Sequence, residues 1–391
     1  MKAAICSRDD LTLCDTGYAE AFEKTIRHVA AGVGSQYSCA SVAIGRGDEL
    51  LLKLCVGNRQ DYSGDVPLHA DPKPVDTDTL YDMASVSKLM STTMVALRLL
   101  EDGYFSLYDS LWRYFDDCGS YADVELRHLM THTSGVPAHL PLYTMGITPD
   151  ESIPTILHSR PVCAIGAEVK YSCMGYMLLQ AVLEKVSGAP LDVLARELVF
   201  EPLGMKNACY CPVSENVAAT EYSPYEHRYI CGHVHDENAH FRGGVSGNAG
   251  VFATLDDCIR FASMLSGRGV ANGAEYLCRH TFEAAVRNYT QPLGESRGLG
   301  FAIHGGELSA SGELMSPDSY GHNGYTGTSI YVDGASGLYF ILLTNSVHYG
   351  RDGRAPFFRS RRLFHNLALC EAGRLRSAEP TGMSRRTFSL N

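Results

Sequence analysis

Hydrophobic residues recur along the chain with helical spacing in some segments and in short continuous runs in others. Near the N-terminus, apolar residues at helical spacing predict a helix over residues 17–31, which two glycines end. Apolar runs at 39–44 and 50–56 flank Arg46-Gly47-Asp48, a turn sequence typical of a β-hairpin. The segment 58–79 is polar and rich in proline, and it is predicted to be a loop.

The middle of the chain is predicted to be mostly helical. Its longest pattern covers residues 87–100 and places apolar residues on one face, with no glycine or proline inside it. Shorter helical patterns follow at 112–115, 126–132, 173–186 and 256–265, the last with Thr254 as its N-cap.

Strand patterns return in the last third of the chain. They cover 299–303, 329–332 and 338–343, and the last two flank a glycine-containing loop at 333–337. A helix over 356–369 follows. This order predicts an α/β (α+β) protein, with one antiparallel sheet built from both chain ends, flanked by helices, and a mainly helical domain inserted into it.

The predicted domains follow from that outline. Residues 15–82 and 295–373 form a discontinuous sheet domain, and residues 83–294 form the mainly helical domain. Residues 374–391 are predicted to be a loosely held tail.

The composition and net charge of the chain limit the kinds of molecule that it is expected to bind. The chain has 391 residues, with 33 Lys+Arg against 44 Asp+Glu and a formal net charge of −11. This acidic balance argues against binding to nucleic acids and to anionic membrane surfaces. No apolar run is long enough to span a membrane, and the first residues lack the apolar segment of a secretory signal. We therefore expect a cytoplasmic protein with reduced thiols.

The first candidate for chemistry is Ser85-Val86-Ser87-Lys88. A serine and a lysine three residues apart at a helix start lie on one face, one turn apart. The lysine can stabilise a serine alkoxide or, when neutral, accept the serine proton. Because S-x-x-K is a common sequence, the pair alone does not establish a nucleophile.

Two further segments add to this candidate. Tyr171-Ser172-Cys173 opens the predicted helix at 173–186, and a glycine-rich segment, 321–328, leads into the strand at 329–332. Small residues at Gly324 and Gly327 allow a ligand to approach the backbone closely. Backbone N–H groups in such a segment can bind an oxyanion.

With these three segments the chain resembles the serine β-lactamases and penicillin-recognising hydrolases, in the branch of the class C β-lactamases, D-aminopeptidases and related esterases. That family carries S-x-x-K, Y-x-N and K-T-G or H-x-G in this order. The matching segments here are Ser85-x-x-Lys88, Tyr171-x-Cys173 and His322-x-Gly324. Segments 129–135, 201–205, 234–239 and 247–252 also resemble the family, and the resemblance covers roughly residues 20–370. It implies a β-lactamase-like fold with the active site between the two domains.

The resemblance also implies roles for individual residues. Ser85 would be the acylated nucleophile and Lys88 its activating partner. Tyr171 would be the general acid and base, with its phenol pKa lowered by Lys88. His322 would replace the motif lysine and hold a substrate carboxylate or the transition-state charge.

The remaining implied roles concern substrate contacts. The N–H groups of Ser85 and Tyr325 would form the oxyanion hole, and Cys173, Asn323 and Gly324 would contact the substrate. Cys173 stands where the family has asparagine, and a thiol is too weak a donor and acceptor to replace an amide. This favours simple ester or acyl-transfer substrates over penicillin-like or peptide substrates, unless the replacement is neutral.

These observations predict a metal-independent serine hydrolase without a cofactor, acting through an acyl-enzyme on small ester or amide substrates. A carboxylesterase or acyltransferase is favoured, and a D-amino-acid amidase or peptidase and a β-lactamase are the alternatives. An alternative of another class is a non-catalytic scaffold or binding protein. The predicted partner is a small-molecule substrate, and the oligomeric state stays open.

Other motifs have simpler interpretations. Gly294-Glu295-Ser296-Arg297-Gly298 matches G-x-S-x-G, but it is preceded by a loop and followed by a strand, the reverse of a nucleophile elbow. His233-Val234-His235-Asp236 lacks the third ligand of a zinc site, and Cys209-Tyr210-Cys211 lacks a second pair. His128 and His132 are interpreted as helix-packing or capping residues.

Overall fold

The computed structural model of the chain describes residues 11–13, 16–63, 66–67, 73–305 and 309–377. The strands in these ranges are β1 (Leu11–Leu13), β2 (Cys39–Arg46), β3 (Glu49–Gly57), β4 (Tyr62–Ser63), β5 (Val66–Pro67), β6 (Tyr81–Asp82), β7 (Cys209–Tyr210), β8 (Tyr222–Ser223), β9 (Arg228–Tyr229), β10 (Val251–Ala253), β11 (Val270–Ala271), β12 (Ala274–Glu275), β13 (Ala302–Ile303), β14 (Tyr320–Asn323), β15 (Ser329–Val332) and β16 (Leu338–Thr344).

The α-helices are α1 (Glu23–Ala30), α2 (Met94–Glu101), α3 (Leu126–Met130), α4 (Ser152–Leu157), α5 (Cys173–Ser187), α6 (Leu191–Ala195), α7 (Glu201–Leu203), α8 (Glu237–Phe241), α9 (Leu255–Ser266), α10 (Arg279–Ala285) and α11 (Ala355–Ser377). Wider π-helical turns cover Lys88–Thr93 and Arg196–Phe200. Short 3₁₀ turns cover Ala19–Phe22, Leu111–Arg113, Gly119–Tyr121, Leu142–Thr144, Pro149–Glu151 and Gln291–Leu293.

Seven of the described strands form one antiparallel sheet in the order β1-β3-β2-β16-β15-β14-β13. The central pair joins the two ends of the chain, because β2 and β16 are paired from Ala40↔Thr344 to Arg46↔Leu338. This confirms the prediction of an antiparallel sheet built from both chain ends. The described helices between β6 and β13 belong to the inserted, mainly helical part.

Both faces of the central strands are covered, so these strands are buried along their length. Along β16, Phe340 and Leu342 belong to the apolar cluster that contains Phe364 of α11. Ile341 and Leu343 belong to the larger cluster on the other side. Because side chains alternate across a strand, β16 separates the two cores. The larger core, to which α2, α5 and α9 contribute, also contains Val86 and Leu89 and so supports the start of the helix that follows Ser85.

Several predicted elements are confirmed with small shifts in their ends. The β-hairpin lies at β2 and β3, and the predicted helix at 173–186 is α5. Thr254 is the N-cap of α9, where its side chain and that of Asp257 form a capping box. The helix predicted over 17–31 is shorter, with a 3₁₀ turn followed by α1.

Other helices depart from the prediction for local reasons. The pattern at 87–100 gives a π-helical turn and then α2, rather than one regular helix. The stretch at 112–115 is only a 3₁₀ turn. The helix predicted at 126–132 ends at Met130, because His132 has a φ of +59°, which an α-helix does not accommodate.

The strand predicted at 299–303 is wrong for its first three residues. Gly300 has a φ of +78°, and its N–H donates to the carbonyl of Met130, while the N–H of Leu299 donates to Ala285. These N–H groups therefore donate to carbonyls of the helical part instead of pairing within the sheet. Only Ala302–Ile303, which is β13, forms a strand. Conversely, β14 was missed because Tyr-Gly-His-Asn lacks an apolar alternation.

Two other segments differ from the prediction. The segment 58–79, predicted as loop, contains the short hairpin of β4 and β5, and part of it lies outside the described residues. Helix α11 continues to Ser377, past the predicted start of the tail at residue 374, and residues 378–391 lie outside the described ranges. None of the helices in the described ranges is both long and apolar enough to cross a membrane.

Candidate active site

Ser85 lies at the start of the helix, behind a strained residue. Ala84 has a φ of +46°, which costs an L-residue about 1–3 kcal/mol. Asp82 holds this conformation, because its Oδ1 accepts the N–H of Ala84 at 2.8 Å. Ser85 itself is half-buried, whereas its chain neighbours are buried. The strain therefore occurs next to the one side chain of this segment that solvent can reach.

Lys88 is completely buried, yet its ammonium group has three partners. Its Nζ donates to Ser85 Oγ at 3.1 Å, to Cys173 Sγ at 3.4 Å and to the Asn248 carbonyl at 2.9 Å. An ammonium group has three N–H donors, so these contacts use all of them. Burial acts to lower the pKa of Lys88, but Cys173 and Tyr171 raise it, and the net direction is upward. Lys88 is therefore a cation in the resting site.

Tyr171 lies immediately before α5, whose N-cap Ser172 accepts the N–H of Gly175 at 2.9 Å. The Lys88 ammonium lies 4.9 Å from the centroid of the Tyr171 ring. The Tyr171 hydroxyl is buried, without a hydrogen bond of ordinary geometry to any described residue. Burial raises the pKa of Tyr171, and Lys88 and Ser85 offset only part of that effect. The predicted lowering by Lys88 is thus present, but the net pKa change is in the opposite direction.

His322 lies on β14, with its ring centroid 6.1 Å from that of Tyr171. Its Nδ1 donates to the Asn323 carbonyl at 2.9 Å, so its Nε2 carries the lone pair. This Nε2 is buried and finds no partner in the described part of the chain. Burial, with Arg297 and Lys88 nearby, lowers the pKa of His322 to about 3. Without a substrate, His322 therefore presents a neutral ring with an acceptor nitrogen, and its role towards a substrate carboxylate or the transition-state charge stays a prediction.

The turn after β14 is tied to the chain segment before Ser85. Thr326 Oγ1 donates to the Asp82 carbonyl at 2.8 Å, and Thr328 Oγ1 donates to the Met83 carbonyl at 3.0 Å. Only glycine fits at 324, since a Cβ there would lie 2.5 Å from the Met83 carbonyl oxygen. The two segments that carry the predicted oxyanion-hole amides are therefore joined directly.

The two amides themselves are available for a ligand. Within the described ranges, neither the N–H of Ser85 nor that of Tyr325 donates a hydrogen bond to another part of the chain. Two unbonded N–H groups beside a nucleophile are the arrangement that an oxyanion requires.

Asn323 occupies a different place from the one predicted. Its side chain lies on the opposite face of β14 from that of His322, and its Oδ1 accepts the Tyr331 hydroxyl at 3.1 Å. Asn323 therefore serves the site through its backbone carbonyl, which orients His322, rather than through its amide.

Two residues that sequence reasoning assigned elsewhere also belong to the site. The guanidinium carbon of Arg297 lies 5.5 Å from the centroid of the Tyr171 ring, and Arg297 forms an ion pair with Glu295. The Arg297 Nε is buried and has no partner among the described residues. The G-x-S-x-G motif thus contributes its arginine, and it is followed by β13 rather than by a helix.

The second such residue is His132, whose ring lies 4.5 Å from that of Tyr171 and 5.2 Å from that of Tyr176. Its Nδ1 accepts the N–H of Ser172 at 3.1 Å, which links it to the start of α5. Burial is the main cause that lowers the pKa of His132. Its place in segment 129–135, which resembles the family, was the available signal.

His128 does act as a capping residue, as expected, because its Nδ1 accepts the N–H of Glu125 at 3.1 Å. In the described ranges, no three His, Cys, Asp or Glu side chains are placed to hold a metal ion.

The arrangement can carry out acyl transfer through a covalent intermediate. A reachable serine hydroxyl, a buried cation and a phenol lie close together, and the two segments that carry the unbonded amides are joined directly, on the fold that the sequence predicted. They define a serine hydrolase with a β-lactamase-like fold. A family model described as Beta-lactamase matches residues 22–361, and the chain belongs to this family.

Curated relatives are similar over most of the chain. A protein of Escherichia coli (strain K12) named "Putative D-alanyl-D-alanine carboxypeptidase" is 27% identical over 365 residues, covering 82% of this chain and 81% of the relative. The "N-acetylmuramyl-L-alanine amidase" of Bacillus subtilis (strain 168) is 26% identical over 357 residues, covering 82% and 79%.

Solved structures with low identity share the fold. "EstCE1, a hydrolase with promiscuous acyltransferase activity" has a TM-score of 0.70 at 20% identity, covering 88% of this chain and 99% of that one. A mutant of simvastatin synthase (LovD) from Aspergillus terreus has a TM-score of 0.70 at 19% identity, covering 92% and 96%. These likenesses confirm the predicted β-lactamase-like fold.

Proposed function

We propose that the protein acylates Ser85 with small ester or amide substrates, and that esters, as substrates of a carboxylesterase or an acyltransferase, are preferred. The observation that carries the proposal is the contact set of Lys88, which joins Ser85 Oγ at 3.1 Å and Cys173 Sγ at 3.4 Å. This contact set includes an activated serine nucleophile, but it has a thiol and no amide side chain at position 173.

In the acylation step, Ser85 Oγ forms a bond to the substrate carbonyl carbon, and the carbonyl oxygen becomes an oxyanion. The N–H groups of Ser85 and Tyr325 stabilise that oxyanion. Lys88 already donates to Ser85 Oγ, so its charge favours the oxygen as it loses its proton. Because Lys88 is a cation, it is not the group that accepts this proton.

Tyr171 is the proposed proton carrier. Its neutral phenol accepts the proton of Ser85 while it passes its own proton to the leaving-group oxygen or nitrogen. The bond to the leaving group then breaks, and no net charge is left on Tyr171. In the second step, water or an alcohol attacks the acyl-enzyme, and the same transfers in reverse restore the Ser85 hydroxyl.

Preference for esters follows from Cys173. An amide at this position could donate to, and accept from, the acylamide of a peptide-like substrate, and a thiol provides neither contact at comparable strength. Simple esters lose little by this replacement. The proposed partner is accordingly a small-molecule substrate.

A second candidate is a peptidase or amidase for substrates that carry a carboxylate. The observation that favours it is Arg297, a cation beside Tyr171 with a buried and unpartnered Nε. The names of the Escherichia coli and Bacillus subtilis relatives point in the same direction.

A substrate panel tests the proposal. Turnover of p-nitrophenyl acetate, D-alanyl p-nitroanilide, D-alanyl-D-alanine and nitrocefin is measured with the same enzyme, and a fluorophosphonate adduct is located by mass spectrometry. Ser85→Ala is expected to abolish turnover and adduct, and Ser296→Ala, in the other serine motif, is expected to retain both. Faster turnover of an amide or of the lactam would contradict the preference for esters, and no adduct on Ser85 would favour a non-catalytic scaffold.

A further inference from the structure

A buried arginine contacts the turn that carries the Tyr325 amide. Arg354 directly precedes α11 and is 9% exposed. Its Nη2 donates to the Tyr325 carbonyl at 2.6 Å and also to Ser346 Oγ. Its guanidinium carbon lies 4.8 Å from the centroid of the Tyr325 ring. Arg354 therefore holds both the backbone and the ring of one residue.

The neighbouring peptide units of this turn are also held. The carbonyl of Thr326 accepts the N–H of Ser346 at 2.7 Å and the Ser346 hydroxyl at 3.1 Å. The carbonyl of Gly324, which shares a peptide unit with the Tyr325 N–H, accepts the N–H of Gly327 at 3.2 Å. With Arg354 on the Tyr325 carbonyl, three successive carbonyls are fixed, so the direction of the Tyr325 N–H is fixed as well.

A second contact to the ring comes from the helical part. The His235 ring stacks on that of Tyr325 with centroids 5.8 Å apart, and His235 Nε2 lies 3.2 Å from Glu221 Oε1. Glu221 in turn accepts two hydrogen bonds from Arg351 Nε, at 2.7 and 3.0 Å. The Tyr325 ring, 48% exposed, thus contacts Arg354 and also His235, which Glu221 holds in place.

The same network reaches the other amide. The N–H of His235 donates to Asp82 Oδ2 at 2.7 Å, and Asp82 Oδ1 accepts the N–H of Ala84, just before Ser85. One connected set of contacts therefore sets the positions of both amides.

We propose that Arg354 is a positioning residue for the oxyanion hole: it aims the Tyr325 N–H at the oxygen that gains charge, without touching the substrate. The inference rests on the proposed function of Ser85. Amides stabilise an oxyanion only when they are directed to its position before the reaction, and small misplacements reduce the rate strongly. A buried guanidinium with two acceptors holds the turn more firmly than the turn's own hydrogen bonds alone.

Arg354→Gln and Arg354→Lys test this role, with Arg361→Gln as the matched control. Arg361 lies in α11, which Arg354 directly precedes, and is 7% exposed; its guanidinium carbon lies 5.7 Å from the ring centroids of Phe357 and Phe358. For p-nitrophenyl acetate, Arg354→Gln is expected to lower kcat by about tenfold to a hundredfold, with KM changed by less than about threefold. Arg354→Lys is expected to recover part of the loss, and Arg361→Gln to stay within about twofold of the native rate.

The fluorophosphonate reaction separates the possible failures. If the native protein forms no adduct on Ser85, the proposed function is wrong before any variant is considered. If the native protein reacts and Arg354→Gln reacts equally fast, only the role of Arg354 is refuted. The same holds if Arg354→Gln loses no more of the reaction rate than Arg361→Gln does, with each variant measured at the same temperature interval below its own unfolding midpoint. Should Arg354→Gln fail to fold, Ser346→Ala removes the adjacent contact and is expected to lower kcat alone, whereas an unchanged kcat would overturn the inference.

Discussion

The ammonium nitrogen of Lys88 lies 3.4 Å from the sulfur of Cys173, at the position where the Y-x-N motif has an asparagine amide. The thiol occupies one of the three donors of Lys88, and the other two bind oxygen atoms of Ser85 and Asn248. The replacement therefore preserves the charge and position of Lys88 while it removes an amide from the substrate side of the site. We expect its consequence to concern the choice of substrate rather than the presence of activity.

Restoring the amide tests this view. Cys173→Asn is expected to raise the ratio of kcat/KM for D-alanyl p-nitroanilide to that for p-nitrophenyl acetate by about fivefold, the worth of one net hydrogen bond of about 1 kcal/mol. Steady-state kinetics on both substrates provides the measurement. Cys173→Ser, which adds a hydroxyl but no amide, is the control. An unchanged ratio in Cys173→Asn would show that the position does not determine specificity.

Lys88 is a buried cation held by three acceptors, so its ammonium group is expected to contribute to stability. The raised pKa of Lys88 means that the folded state favours the charged form over the neutral amine. Lys88→Met keeps most of the side-chain volume but removes the donor that binds the Asn248 carbonyl. The variant is expected to lose roughly 10³-fold or more in kcat, and its unfolding midpoint is expected to fall.

Lys185→Met is the matched control for that experiment. Lys185 lies on α5, and its ammonium donates to the Tyr114 carbonyl, outside the site. Its removal is expected to leave kcat within about twofold. A Lys88→Met protein that unfolds at the same temperature as the native protein, or at a higher one, would show that the buried ammonium does not stabilise the fold.

The sequence predicted those parts of the fold and site whose signal is local. The hairpin of β2 and β3 has apolar runs around a turn, and α9 begins at a capping threonine. Ser85 and Lys88 meet because three residues make nearly one helical turn.

The remaining features depend on distant partners. The amides of Leu299 and Gly300 bind carbonyls of the helical part, which no strand pattern reveals. Arg297 bridges to Ala302 of the edge strand β13, and it reaches Tyr171 through a contact between segments far apart in the chain. The direction of the net pKa change at Tyr171 could not be predicted from the sequence either. Burial raises this pKa more than the charge of Lys88 lowers it, and the sequence does not show how deeply a side chain is buried.

His365 provides a test of stability against pH. It is completely buried among aromatic rings, and neither ring nitrogen has a partner among the described residues. Burial and the nearby Arg361 lower the pKa of His365 to about 3, against about 6.5 in an unfolded chain. Between these values the unfolded state binds the extra proton, so the free energy of unfolding falls as the pH falls through this window.

His365→Phe removes that contribution. Between pH 7.5 and 5.0, the native protein is expected to lose about 2 kcal/mol more unfolding free energy than the variant. Urea unfolding at the two pH values measures the difference, and ester turnover at pH 7.5 serves as the control for an intact site. An identical pH dependence in both proteins would mean that His365 is not held neutral by the fold.

The last prediction concerns the contact between the turn and the segment before Ser85. A Cβ at position 324 would lie 2.2 Å from Thr328 Oγ1 and 2.5 Å from the carbonyl oxygen of Met83, which are hydrogen-bonded to each other at 3.0 Å. The backbone oxygen has no rotamer to adopt, so Gly324→Ala must push the turn away from Ser85. A displacement of this kind is expected to lower kcat/KM about a hundredfold.

Gly373→Ala is the matched substitution outside the site. Gly373 lies inside α11, and a Cβ there meets no atom within 4 Å. Its replacement is expected to raise the free energy of unfolding by about 0.5–1 kcal/mol, because alanine favours a helix interior over glycine, and to leave kcat/KM unchanged. Thermal unfolding and ester kinetics on both variants distinguish the two effects. A Gly324→Ala protein that folds and turns over ester at the native rate would show that the turn tolerates displacement, and the close approach of the two segments would then have no catalytic role.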